Sequence, residues 1–109
     1  MVAYSNDAKI AYGVAPELIS HHGVISSEVA QAMAQAARQY LKADIGVSTT
    51  GLAGPETVEG KPVGMVYLGI DDGQSTRVIK GNYPGDRPRI RRRATTAALF
   101  ELRKMLAAV

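Results

Sequence analysis

The clearest periodicity lies in residues 26–43. Val29, Met33, Ala36, Ala37, Tyr40 and Leu41 recur at spacings of three and four, the repeat of one helix face. Ser26 precedes them as an N-cap, and Glu28 stands in the first turn, where the helix dipole favours an anion. The spacing therefore predicts a helix over 27–43. The many alanines on its apolar face imply close packing on a sheet, with Met33 and Tyr40 in the core. In 43–49 Ile45 and Val47 alternate along the chain, which predicts a strand. The run VGMVYLGI, 63–70, is short and near-continuously apolar, as a central strand buried on both faces should be. The turn 71–75, centred on Asp72 and Gly73, predicts that 76–83 pairs back as a hairpin. Ile90, Ala94, Ala97, Ala98, Leu102, Met105 and Val109 make the inner stripe of a last helix, capped by Asp86 and carrying Pro88 in its first turn.

The first 25 residues are less periodic. VAYS, 2–5, alternates weakly and suggests a short strand; SNDAK reads as a turn, since Ser, Asn and Asp bond readily to nearby backbone. Segments 8–13 and 15–23 each predict one or two helical turns, stopped by Gly13 and Gly23, the second opened by Pro16. The order is strand, short helices, long helix, three strands, helix. It predicts one α/β domain over 1–109, with helices packed on a mixed β-sheet. No repeat, low-complexity segment or linker interrupts it.

Composition narrows the chemistry. The chain has no cysteine and only two histidines, the adjacent His21 and His22. That excludes thiol catalysis and argues against a metal site, which needs three or four ligands. No apolar run approaches the ~18 residues of a membrane span, and the start lacks a secretory pattern, so a cytoplasmic location is expected. The formal charge is +3, and much of the excess sits in DRPRIRRR, 86–93. Five arginines in seven positions could hold nucleic acid or a small anion. The aromatic interleaving of a single-strand binder is missing, so nucleic acid is the weaker alternative. Cations at the start of a helix oppose its dipole, a placement that makes sense when an anion sits there.

Between two predicted strands lies TTGLAGPETVEGKPVG, 49–64, with four glycines and two prolines. It is either a structural loop or one that wraps a ligand. Gly51 and Gly54 would let backbone N–H groups approach a ligand closely, and Thr49 and Thr50 offer hydroxyls at the strand end. Neither a dinucleotide nor a Walker-type glycine pattern is present. Lys9 could act as a base if burial lowered its pKa; a solvated lysine is the plainer reading. No cofactor is implied.

Five stretches, YSNDAK, HGVISSEVAQAMA, TGLAGP, KPVGMVYLGI and GDRPRIRRRATTAAL, fall in one order. Together they resemble the C-terminal domain of the CinA family (competence/damage-inducible protein A), also found as stand-alone nicotinamide mononucleotide deamidases. The resemblance runs from about residue 2 to the C-terminus. It implies an α/β/α-type layered domain and an amidohydrolase that converts nicotinamide mononucleotide to nicotinate mononucleotide and ammonia in pyridine nucleotide recycling. It further implies a serine nucleophile assisted by a lysine and a tyrosine, which by motif are Lys9 and Tyr4. Thr50, Gly51, Ala53 and Gly54 of the loop, with Arg87, would face the substrate, a small anionic nucleotide.

Two departures from the family pattern bear on activity. The family's serine lies in an AESCTGG-like motif upstream of the tyrosine, and no residue of this sequence matches it. The chain therefore reads as an N-terminally truncated, catalytically incomplete member. The alternative is a non-catalytic nucleotide-binding or oligomerisation module of the same fold. Second, Glu56 and Glu59 stand where the family commonly has glycines, and two carboxylates facing a phosphate would repel it. An uncovered sheet edge would favour self-association, so a homo-oligomer is expected.

Overall fold

The computed structural model describes residues 1–3, 5–55 and 60–107. Its elements are α1 (Asn6–Ala11), α2 (Pro16–His22), α3 (Ser27–Leu41), β1 (Gly46–Gly51), β2 (Met65–Asp71), β3 (Thr76–Asn82) and α4 (Arg87–Ala107). The strands form a sheet in the order β1-β2-β3, with Thr49 opposite Leu68 and Leu68 opposite Ile79.

Both strand pairs are antiparallel, which corrects the mixed sheet expected from the order of elements. The links between strands contain no helix among the described residues, and a parallel neighbour needs a long crossover. The expected strand over 2–5 is likewise not formed among its described residues; Tyr4 lies outside them. What remains of it is one pairing step. The Met1 amino group donates to the Val47 carbonyl, and Thr49 N–H donates to the Met1 carbonyl at 3.2 Å. That is the bond pattern of a parallel neighbour. The chain then leaves the sheet for α1, whose cap is Ser5, its side chain accepting from Ala8 N–H at 3.0 Å.

The sheet is covered on both faces, as the layered reading expected. On one face Val66 and Leu68 pack with Ile90, Ala94 and Ala98 of α4. The other face meets α3 at very short range. A Cβ on Gly46 would stand 2.1 Å from the Ala34 carbonyl oxygen, and one on Gly69 2.5 Å from that of Ala30. Glycine in the strands and alanine in the helix are what allow this approach. The edge of this layer is fixed by Arg38 Nε, 2.6 Å from Asp71 Oδ2, while Thr76 donates to Asp71 Oδ1 at 3.0 Å. Burial alone would raise the Asp71 carboxyl, but the Arg38 and Thr76 bonds outweigh it and hold the group below its ordinary value.

Element ends follow local chemistry. Ser26 Oγ accepts from Val29 N–H at 3.2 Å and opens α3 as expected. The helix stops two residues early because Lys42 takes the left-handed C-cap conformation, φ 53°. Asp86 Oδ1 accepts from Arg89 N–H at 3.1 Å and caps α4. Met33 is fully buried, but Tyr40 is 61% exposed, against the core position expected for it. It sits in the last turn of α3, edge-on to Tyr12 with ring centroids 5.2 Å apart. Leu102 and Met105 are only half-buried, and Val109 lies outside the described residues.

Candidate functional site

β1 ends at Gly51, and the chain turns at once into the LAGP segment. Leu52 N–H still bonds the Met65 carbonyl at 3.0 Å, and Gly64 N–H bonds the Leu52 carbonyl, so the base of this loop is tied to β2. Gly51 accepts no side chain: a Cβ would lie 2.6 Å from both the Met65 oxygen and Val66 Cγ2. Gly54 has φ +82°, a backbone conformation that suits glycine. The loop tip is fastened from the opposite side, where Arg87 Nη1 donates to the Gly54 carbonyl at 3.2 Å.

Loop, α1 and the start of α4 enclose a hollow of about 700 Å³, within the size range of small-ligand sites. Lys9, Thr50, Gly51, Ala53, Gly54 and Arg87 all line it. The structure thus brings together every residue singled out in the sequence except Tyr4, which lies outside the described residues, as do Glu56 and Glu59. Four further polar residues line the same hollow: Asn6, Thr49, Arg91 and Thr95. Sequence reasoning left Arg91 within an undivided basic run and passed over Thr95. The available signal was their spacing, since 87, 91 and 95 fall four apart and share one helix face. No carboxylate is among the described lining residues, so the hollow carries three cations and no described counter-charge.

Lys9 is 3% exposed. Its Nζ donates to the Ala3 carbonyl at 2.5 Å, and burial lowers its pKa from the ordinary lysine value. Such an amine gives up its proton more readily than a solvated one, the property a base needs. Several hydroxyls nearby already take part in backbone bonds. Thr50 Oγ1 donates to the Val24 carbonyl at 2.9 Å, Ser48 Oγ to the Ala30 carbonyl at 2.6 Å, and Ser5 caps α1. Thr50 keeps its oxygen lone pairs as acceptors. Among the described residues there is no cluster of groups able to hold a metal ion, and no described helix is long and apolar enough to cross a membrane.

A two-sided α/β layer with a basic hollow beside a glycine loop defines the class. Comparison with known proteins defines it further. The CinA C-terminal domain profile matches residues 1–106, and this chain belongs to that family. It is 44% identical over 107 residues to a CinA-like protein of Acidobacterium capsulatum, covering 96% of this chain and 26% of that protein. It is 50% identical over 93 residues to a CinA-like protein of a Geobacter species, covering 83% and 22%. Among solved structures, a CinA superfamily protein from Enterobacter cloacae superposes with a TM-score of 0.92 at 30% identity, covering 97% of this chain and 64% of that one. One from Klebsiella pneumoniae 700603 gives 0.93 at 27%, covering 97% and 68%. The chain spans about a quarter of the length of these curated relatives and about two thirds of the solved chains.

Proposed function

We propose that this chain supplies the lysine and the nucleotide-binding face of an amidohydrolase acting on nicotinamide mononucleotide. The observation that carries the reading is the single hollow lined by Lys9, the 50–55 loop and Arg87. Lys9 in its neutral form accepts the proton of a nucleophilic hydroxyl, whose oxygen attacks the amide carbon. The C–N bond then breaks, ammonia leaves, and water releases the acid product. Backbone N–H groups of the loop stabilise the oxyanion, and the basic wall supplied by α4 holds the anionic end of the substrate. The nucleophile itself is not assigned to any described residue: no serine matches the family's nucleophile motif, and Ser48 and Thr50 already donate their hydroxyls to backbone carbonyls.

That engagement favours a second reading, in which this chain by itself binds the nucleotide without turnover. Self-association belongs to the same proposal. β3 pairs only with β2 among the described strands, and Leu99, Phe100 and Leu106 of α4 are exposed. Calorimetry with nicotinamide mononucleotide, together with an ammonia-release assay, separates the readings. Binding with release supports the amidohydrolase, binding without release supports the second reading, and no binding removes both. Light scattering tests self-association, and a monomer at micromolar concentration would contradict it.

A further inference from the structure

The basic run at 86–93 is not one patch. Of its five arginines only Arg87 and Arg91 line the hollow. Arg93 Nη1 donates instead to the Pro84 carbonyl at 2.5 Å, and Arg89 and Arg92 are exposed away from the hollow. The two lining arginines are also unlike each other. Arg87 spends a donor on the Gly54 carbonyl, so it fastens the loop. Arg91 lies one turn further along, about 6 Å up the helix axis, and its guanidinium has no hydrogen-bond or ion-pair partner among the described residues. Thr95, a turn beyond, donates its hydroxyl to the Arg91 backbone carbonyl at 2.9 Å. An uncommitted planar fork of N–H donors, in a hollow without a described carboxylate, matches the oxygens of a phosphate monoester.

We propose that the two arginines divide the labour: Arg91 binds the phosphate of a phosphomonoester ligand, and Arg87 is a positioning residue that holds the 50–55 loop in shape. This deepens the function proposed above and rests on it only for the identity of the rest of the ligand. A phosphate bound at Arg91 lies on the α4 wall. The remainder of the ligand then extends toward Lys9 on the α1 wall of the same hollow.

The test uses ribose 5-phosphate and nicotinamide mononucleotide as probes, with nicotinamide riboside as the ligand lacking phosphate. Affinities of the wild-type chain, R91Q, R87Q and the control R92Q are measured by calorimetry, with thermal melts to show that each is folded. R91Q is expected to weaken both phosphate-bearing ligands by about tenfold or more and to leave riboside affinity within about twofold. R87Q is expected to weaken riboside as well, because the loop loses its tether, and R92Q to change nothing. The proposal is overturned if R91Q leaves ribose 5-phosphate affinity unchanged, if it weakens riboside as much as the phosphate esters, or if the wild type binds no phosphate ester. A wild type that binds ribose 5-phosphate through Arg91 but neither nicotinamide ligand would remove the proposed substrate and leave the phosphate assignment standing.

Discussion

Replacing Lys9 by methionine tests the buried amine in a way that does not depend on turnover. Methionine keeps an unbranched stem of similar length and removes the charge and the donors. In the wild type Lys9 is 3% exposed as a residue, and its ammonium group has one acceptor among the described residues, the Ala3 carbonyl, although an ammonium can donate three bonds. No carboxylate among the described lining residues offsets its charge. The hollow is open to water on one side, which discounts the penalty, and the lost bond to Ala3 offsets part of the gain. A net stabilisation of about 1 kcal/mol at pH 7 remains, roughly 4 °C in melting temperature for a chain this size. The pH dependence gives the sign. Burial puts the folded-state pKa below the unfolded value of 10.5, so in that interval the unfolded chain holds a proton that the folded chain has lost. Wild-type stability therefore rises with pH through the interval, and the penalty is fully present below it. The advantage of K9M should be greatest near neutrality and fade as pH approaches 10.5. Urea titrations of both proteins from pH 6 to 10.5 read this directly. A K9M chain less stable than wild type at pH 7, or an advantage independent of pH, would refute the reasoning.

Three further outcomes follow. D71N breaks the buried partner of Arg38 and should cost about 3 kcal/mol at pH 7. Because the folded Asp71 pKa is depressed, wild type should lose this contribution only as pH falls below the ordinary carboxylate range toward the folded value, measured by denaturation from pH 7 to 2. Gly46→Ala drives a Cβ toward the Ala34 backbone oxygen and should cost about 2 kcal/mol by lifting α3 from the sheet, seen as a lower urea midpoint. If the amidohydrolase reading holds, K9M should reduce ammonia release from nicotinamide mononucleotide by about 100-fold or more while binding persists; release unaffected by K9M would remove Lys9 from the chemistry.

Much of the fold was legible where side chains act locally. Ser26, Gly23 and Asp86 are caps or stops whose function depends on neighbours within a few residues, and β2 carried its burial on both faces as a continuous apolar run. β1 was legible as a strand, and its Val47 packs on the core beneath α4, but its other face was not legible. The alternation of Ile45 and Val47 marks the strand, but the most buried positions are Gly46, Ser48 and Thr50. Their hydroxyls are satisfied by the Ala30 and Val24 carbonyls, so polar residues face α3 at no desolvation cost. Hydropathy cannot report a hydroxyl whose partner lies 18 or 26 residues away. Tyr40 misled in another way: it keeps helical phase with Met33, but it stands exposed in the last turn of α3, edge-on to Tyr12. The sites split similarly. Lys9, the 50–55 loop and Arg87 were reached through a family resemblance, and the hollow they share is a tertiary fact. Separating Arg91 from Arg89, Arg92 and Arg93 needed the phase of α4 relative to the sheet, which the sequence of a five-arginine run does not contain.

The central claim is that one hollow, walled by α1, the 50–55 loop and α4, receives a nucleotide with an anionic end. Backbone amide shifts followed by NMR during titration with nicotinamide mononucleotide test it most directly. Saturable changes are expected at Lys9, Gly51–Gly54, Arg87 and Arg91, with Tyr12 and Tyr40 unmoved. Changes centred on Tyr12 and Tyr40, or none at millimolar ligand, would contradict it.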